Sequence, residues 1–287
     1  MAMADFAIAT RVSLCSWLAA MAVVLTAGQP AALAQAAPAA DSAANPLDGY
    51  TEQTFTDAAG QEHRYRLLFP AGYQADADTR YPLVLLLHGA GERGDDNQAQ
   101  LRHGAAEFAR ADRQAAYPCF VVVPQVPRES RWVDADWSQR DGRGSFPDKP
   151  SPSMQAALGI VRQWIDSGRV EPERIYVTGL SMGGYGSWFA GAHANDLFAA
   201  AVPICGGGDP SWADRYGKLP IWAFHGTDDR AVPVERSQEM IAALKTAGHQ
   251  PEAKYTEYEG AGHDVWTRTY QRDDLFQWLF SQRRNAP

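Results

Sequence analysis

From Arg174 to Trp188 the chain reads RIYVTGLSMGGYGSW. The run Ile175-Tyr176-Val177-Thr178 has the character of a strand buried on both faces. It passes directly into a segment with glycines on both sides of one serine, and a helix is expected to begin at Ser181 or Met182. A parallel strand that turns abruptly into a helix forces a corner residue into a strained backbone. Strand and helix can approach at that corner only where Cβ atoms are missing, and Gly179 and Gly183 meet that need. Ser181 then stands out at the C-terminal edge of a sheet, beside the free N–H groups of a helix start. The pattern is G-x-S-x-G, Gly179-Leu180-Ser181-Met182-Gly183, the spacing of a nucleophile elbow. The plainer alternative is a Gly-rich turn that merely packs tightly, and the strand before and helix after weigh against it.

The rest of the chain supplies a matching frame. Apolar runs at 81–89, 119–125, 174–180, 199–205 and 220–226 read as buried strands, and 252–260 as a further strand. Residues 51–57 and 63–69 flank a short turn and read as an antiparallel hairpin. Helices are expected over 96–112 with Asp96 as N-cap, over 153–168, over 234–248 and over 273–284. In the second of these, Met154, Leu158, Val161 and Ile165 share a face. In the last, Leu275, Phe276, Leu279 and Phe280 do so. Strands alternating with helices imply an α/β protein: a mostly parallel central sheet with helices on both faces and an N-terminal antiparallel hairpin. The expected order of its parallel strands is 119–125, 81–89, 174–180, 199–205, 220–226. Cys119 then opens its strand and Cys205 closes another, with two strands between them. That is roughly 14 Å sideways, against the 7 Å or so that a disulfide spans between Cα atoms. Both are expected as unpaired buried thiols.

Ahead of this domain, Arg11 precedes the apolar run LCSWLAAMAVVLTAG (Leu14 to Gly28), and Ala32-Leu33-Ala34 follows. Residues 1–34 read as a secretory signal peptide cleaved near Ala34. The apolar run of about 14 residues falls short of the roughly 20 that span a bilayer. An exported protein, periplasmic or extracellular, with no stable membrane anchor after cleavage is expected. The Ala/Pro-rich residues 35–46 read as a disordered linker, and 47–287 as one catalytic domain. A formal net charge of -8 with no basic cluster argues against a nucleic-acid partner.

A serine hydroxyl needs a base, and the base an orienting carboxylate. In folds with this elbow they follow in the order serine, acid, histidine. Asp228 and Asp229 both lie just past the strand 220–226. His263 lies in a Gly-rich loop directly after 252–260. His249 precedes that strand, His103 and His193 fall on helices or their ends, and His225 lies inside a strand and reads as structural. An oxyanion also needs two N–H donors. Met182 follows the nucleophile, and Ala90, between Gly89 and Gly91, follows the strand 81–89. The connection 126–150 is far longer than the usual 4–6 residues or so. Its Trp132, Trp137 and Phe146 either stack on a sugar ring or aromatic acyl group, or glue the loop to the domain. Trp266 either lines the same cleft or packs beneath the loop. Glu92 and Arg93 either orient substrate or, the favoured reading, pair with each other in a solvated turn.

The segments LLLHGAGERGDDN, ERIYVTGLSMGGYGSW, AVPICGGGDP, IWAFHGTDDRAVPVERS and YEGAGHDVW resemble the α/β-hydrolase serine esterases. The resemblance is to the carboxylesterase or prolyl-oligopeptidase-like "predicted peptidase" group, related to feruloyl and acetylxylan esterases and polyhydroxybutyrate depolymerases. It runs from about Leu47 to Arg284. In such families the acid falls in H-G-x-x-D-x-x-V-P, here His225 to Pro233, which selects Asp229. The resemblance implies a fold of the α/β-hydrolase type, catalytic Ser181, Asp229 and His263, and hydrolysis through an acyl-enzyme without metal or cofactor. The resemblance does not fix the substrate; a small-molecule or polysaccharide-linked ester, such as acylated plant polysaccharide or an aromatic ester, is expected. A peptidase and a polyester depolymerase are alternatives. A non-catalytic binding member of the fold would be expected to lack a triad residue, and none is missing.

Overall fold

The computed structural model describes residues 45–135 and 146–284. Its eight strands are β1 (Tyr50–Thr56), β2 (Glu62–Leu68), β3 (Tyr81–Leu87), β4 (Phe120–Pro124), β5 (Val170–Leu180), β6 (Ala200–Ile204), β7 (Trp222–Gly226) and β8 (Lys254–Tyr258). They form one sheet in the order β1-β2-β4-β3-β5-β6-β7-β8. β1 pairs antiparallel with β2, and β2 with β4; every later pairing is parallel. The expected order of the parallel strands is therefore the observed one. Cys119 and Cys205 are both free and buried.

The helices are α1 (Ala105–Ala109), α2 (Ala111–Ala116), α3 (Pro152–Asp166), α4 (Met182–His193), α5 (Glu235–Thr246), α6 (Trp266–Tyr270) and α7 (Asp273–Ser281). Period-2 alternation sorts the central strands between two cores. Val84, Leu86, Val121, Val123, Tyr176, Val202 and Phe224 face one side, packed with Phe108 of α1 and Phe276 and Phe280 of α7. On the other side Trp164 of α3 packs against Phe120 at 4.9 Å between ring centroids and against Phe69 at 6.2 Å. Trp164 occupies the place expected for Ile165, which is only half-buried.

The helix expected over 96–112 is broken into three pieces. Asp96 Oδ1 accepts from the N–H groups of Gln98 and Ala99, capping only a short 3-10 turn at 99–101. Gly104 then takes φ +79° before α1 starts, a conformation that breaks the helix, and a Cβ there would lie 2.7 Å from the Tyr270 ring. Arg110, extended at ψ 137°, separates α1 from α2. Helix α6 was not expected; five residues are too few for a period to register. Among the described residues no helix is long and apolar enough to cross a membrane.

Register places the site. Leu87 lies opposite Gly179, Leu180 opposite Ile204, and Gly226 opposite Tyr258. The C-terminal ends of β3, β5, β6, β7 and β8 thus open onto one edge of the sheet.

Candidate active site

Ser181 sits at φ 52°, ψ -116°, in the left-handed region that non-glycine residues rarely enter. It is held there from both sides. Its N–H donates to Ile204 O at 2.9 Å, and its carbonyl accepts from Tyr185 N–H at 3.1 Å. The two glycines of the elbow are required by close approach. A Cβ on Gly179 would stand 2.6 Å from Leu87 O, and one on Gly183 would collide with the same carbonyl.

His263 Nε2 lies 2.9 Å from Ser181 Oγ, and His263 Nδ1 lies 2.6 Å from Asp229 Oδ2. The carboxylate fixes the proton on Nδ1, leaving Nε2 to accept from the serine hydroxyl. Asp229 has its side chain wholly out of solvent. Its Oδ1 accepts from the N–H groups of Ala231 (2.8 Å) and Val232 (2.9 Å). Burial works to raise its pKa. Hydrogen bonding from His225 and His263 and from the Val232 N–H outweighs burial and holds the carboxyl well below its ordinary range. Asp229 is therefore ionised wherever the protein is folded near neutrality. Asp228 is exposed, and among the described residues its side chain accepts from Thr227 Oγ1 alone, at 3.4 Å. Of the two neighbouring acids, the structure brings Asp229 to His263.

The two N–H groups expected to bind an oxyanion are brought to the same edge. β3 and β5 are neighbours, and a Cβ on Gly89 would touch the Leu180 side chain at 3.0 Å. Among the described residues neither the Ala90 nor the Met182 N–H is given to a protein acceptor. The Ala90 loop is fixed by His88, which the sequence reading passed over. Val126 N–H donates to His88 Nε2 at 2.9 Å, while His88 Nδ1 donates to Gly89 O at 2.6 Å. Burial pushes the His88 pKa down to about 4, so the ring is neutral, as those two bonds require.

The residues expected to contact substrate fare differently. Trp132 is 1% exposed. Its indole N–H donates to His88 O at 3.0 Å, its ring packs on His88 at 5.2 Å, and it lies against Gly186. It is glue for the loop, and a substrate platform at Trp132 is ruled out. Phe146 does the same work against Tyr185 and Trp212, at 6.3 and 5.8 Å between centroids. Trp137 lies outside the described residues. Trp266 is largely buried, with its ring perpendicular to His263 at 5.0 Å. It walls the base.

Glu92 is not in a solvated turn and does not pair with Arg93. It is buried, with Oε1 at 3.6 Å from both Arg102 and His103. Arg93 instead donates to the carbonyls of Ala90 and Ser130. Beside His263 a shallow open cleft is lined by Asp228, Arg230, Ala231 and Gly262.

One buried group has the donor types of a metal site: ligand atoms of Cys205, His225 and Asp229 lie within 4.8 Å of one another. Each is already committed to a hydrogen bond. Cys205 Sγ donates to His263 O at 3.2 Å, and His225 Nε2 donates to Val232 O at 2.9 Å. Asp229 is engaged as described.

Comparison with known proteins bears on this arrangement. The model of the phospholipase/carboxylesterase family matches residues 73–273. Acyl-protein thioesterase 1 of Gibberella zeae is 27% identical over 228 residues, covering 69% of this chain and 88% of that protein. Feruloyl esterase B of Piromyces equi is 27% identical over 178 residues, covering 57% of this chain and 28% of that protein. The crystal structure of a thermostable esterase is 41% identical with a TM-score of 0.75. That match covers 83% of this chain and 64% of that one, so the chain spans just under two thirds of that protein's length.

Proposed function

The chain belongs to the phospholipase/carboxylesterase family and is a carboxylic-ester hydrolase of the α/β-hydrolase fold, and we propose that Ser181, His263 and Asp229 are its nucleophile, base and orienting acid. The observation that carries this reading is the chain of contacts from Ser181 Oγ through both His263 nitrogens to Asp229, 2.9 and then 2.6 Å. His263 Nε2 takes the Ser181 proton as Oγ attacks the ester carbonyl. The oxyanion of the tetrahedral intermediate is met by the N–H groups of Ala90 and Met182. His263 then gives its proton to the departing alcohol, leaving an acyl-serine. Water, deprotonated by the same nitrogen, releases the acid. Asp229 stays ionised throughout and stabilises the transient imidazolium.

The proposed substrates are carboxylic esters of small molecules or of polysaccharide-linked acyl groups. The open cleft beside His263 supports this, since it leaves room for a bulky alcohol portion. The likeness to a feruloyl esterase also supports it. Ser181→Ala tests the nucleophile. It should abolish turnover across a panel of short acyl esters, feruloyl esters and acetyl-sugar esters while leaving thermal unfolding unchanged. A peptide amide and a polyester film belong in the same panel. Turnover of the amide faster than of every ester would replace this reading with a peptidase. The proposal includes export, supported by Arg11, the apolar run 14–28 and Ala32-Leu33-Ala34. N-terminal sequencing of the mature protein should begin near Gln35.

A further inference from the structure

The motif H-G-x-x-D-x-x-V-P contains a histidine and a valine to which the reaction above gives no task. Both converge on the acid. His225 is fully buried on β7. Its Nε2 faces two acceptors, Val232 O at 2.9 Å and Asp229 Oδ2 at 3.2 Å. Two acceptors on one ring nitrogen require that nitrogen to carry a proton. The other ring nitrogen, Nδ1, lies 2.8 Å from Ser237 Oγ on α5, and that hydroxyl is also 3.1 Å from Gly206 O. The ring is thus pinned at both ends, and it presents an N–H to the carboxylate oxygen that receives His263 Nδ1. Val232 closes the loop from the other side, since its carbonyl accepts from His225 while its N–H donates to Asp229 Oδ1.

We infer that His225 is a positioning residue for the acid of the triad, its Nε2–H sharing Asp229 Oδ2 with the Nδ1–H of His263. The inference rests on the Ser181–His263–Asp229 reading given above. Two consequences follow from the geometry. The carboxylate cannot rotate about its Cβ–Cγ bond without giving up contacts to both oxygens. Its negative charge is also divided between two imidazoles, so Asp229 draws the His263 proton less strongly than an unshared carboxylate would. The other titratable groups facing His225 are the Cys205 thiol at the end of β6 and Glu257, its register partner on β8. Glu257 is itself held by Gln238 Nε2 at 2.7 Å.

Two substitutions separate positioning from packing. The His225→Asn amide is too short to reach the Nε2 position, whereas the His225→Gln amide reaches it and can donate. Each variant is assayed on a chromogenic acyl ester from pH 5 to 9, with active sites counted by a fluorophosphonate. In His225→Asn, kcat per titrated site should fall about 10- to 100-fold with KM unchanged. The acidic limb of its kcat profile should move up by about half a pH unit or more, since the unshared carboxylate favours the imidazolium form of its partner. His225→Gln should recover most of both effects. Should His225→Asn fail to fold, Ser237→Ala releases the far end of the ring and should move the limb in the same direction by less. An unmoved limb in the folded variant, with activity lost only in proportion to titrated sites, overturns the inference and leaves the triad standing. Turnover retained by Ser181→Ala in the same assay overturns the triad, and this inference with it.

Discussion

At the scale of single residues, the sharpest question is which of two adjacent carboxylates serves the base. Asp229 is buried and receives N–H groups on both oxygens, whereas Asp228 is exposed and has one long contact. Asp229→Asn should lower kcat by about 10⁴, because an amide presents His263 with the wrong partner and the wrong tautomer. Asp228→Asn should change it far less, since Asp228 lines the cleft but its carboxylate accepts from Thr227 Oγ1 and not from His263. Measured kcat values for both variants on one ester decide this, and the reverse ranking would transfer the role to Asp228. That Ser181, one of Asp228 and Asp229, and His263 would meet was legible because each sits at a strand end in a fixed chain order, whereas the choice of Asp229 rested on the resemblance in H-G-x-x-D-x-x-V-P alone. Trp132 was not legible. An aromatic residue in a long loop carries no mark of whether its ring faces solvent or a neighbouring histidine, and here the indole N–H found His88 O. Glu92 misled for a similar reason: its partners, Arg102 and His103, come from the following turn rather than from the adjacent Arg93.

At the scale of elements, α3 shows how the long connection is tied to the frame. Ser151 caps the helix by accepting from Met154 N–H at 3.1 Å. Its hydroxyl also lies 2.9 Å from the carbonyls of Arg131 and Trp132, so one side chain fastens both ends of the loop. Ser151→Ala should cost about 1–2 kcal/mol, the usual price of a lost N-cap, read as a lower urea midpoint at unchanged slope. A loss below about 0.3 kcal/mol would mean that the loop is held elsewhere. The strands and the longer helices were legible because burial on both faces, or on one face at helical spacing, writes itself into the order of residues. The region 96–112 was not. Its helical composition is overridden at Gly104, which turns to φ +79° against the Tyr270 ring more than 160 positions further along, and at the extended Arg110.

At the scale of the whole molecule, buried neutral histidines make stability depend on pH. His88 in the folded protein takes a proton only near pH 4, whereas an unfolded histidine does so near 6.5. Between those values the unfolded chain binds more protons, so folding weakens as pH falls from about 6.5 to about 4. The loss from His88 is on the order of 3 kcal/mol. His249, whose pKa is also lowered by burial, adds in the same sense. Asp229 stabilises the folded protein throughout that window, and its share is lost only as pH falls below the ordinary carboxylate range. Urea midpoints should therefore drop steadily through that window, and His88→Gln should make the decline shallower. An equal slope in the variant would assign the acid sensitivity to other groups.

The order of strands has a practical corollary for anyone who attaches this protein to a support. β1 lies four strands from β5, about 19 Å along the sheet. At the other terminus of the described chain, Arg284 N–H donates to Glu173 O. Glu173 stands eight residues before Ser181 on β5, about 26 Å down the strand. A tether, a reporter or a bead joined near Asn45 or Arg284, the two ends of the described residues, would leave the face that carries Ser181 open to the solution, so immobilised protein should keep the turnover of the free form.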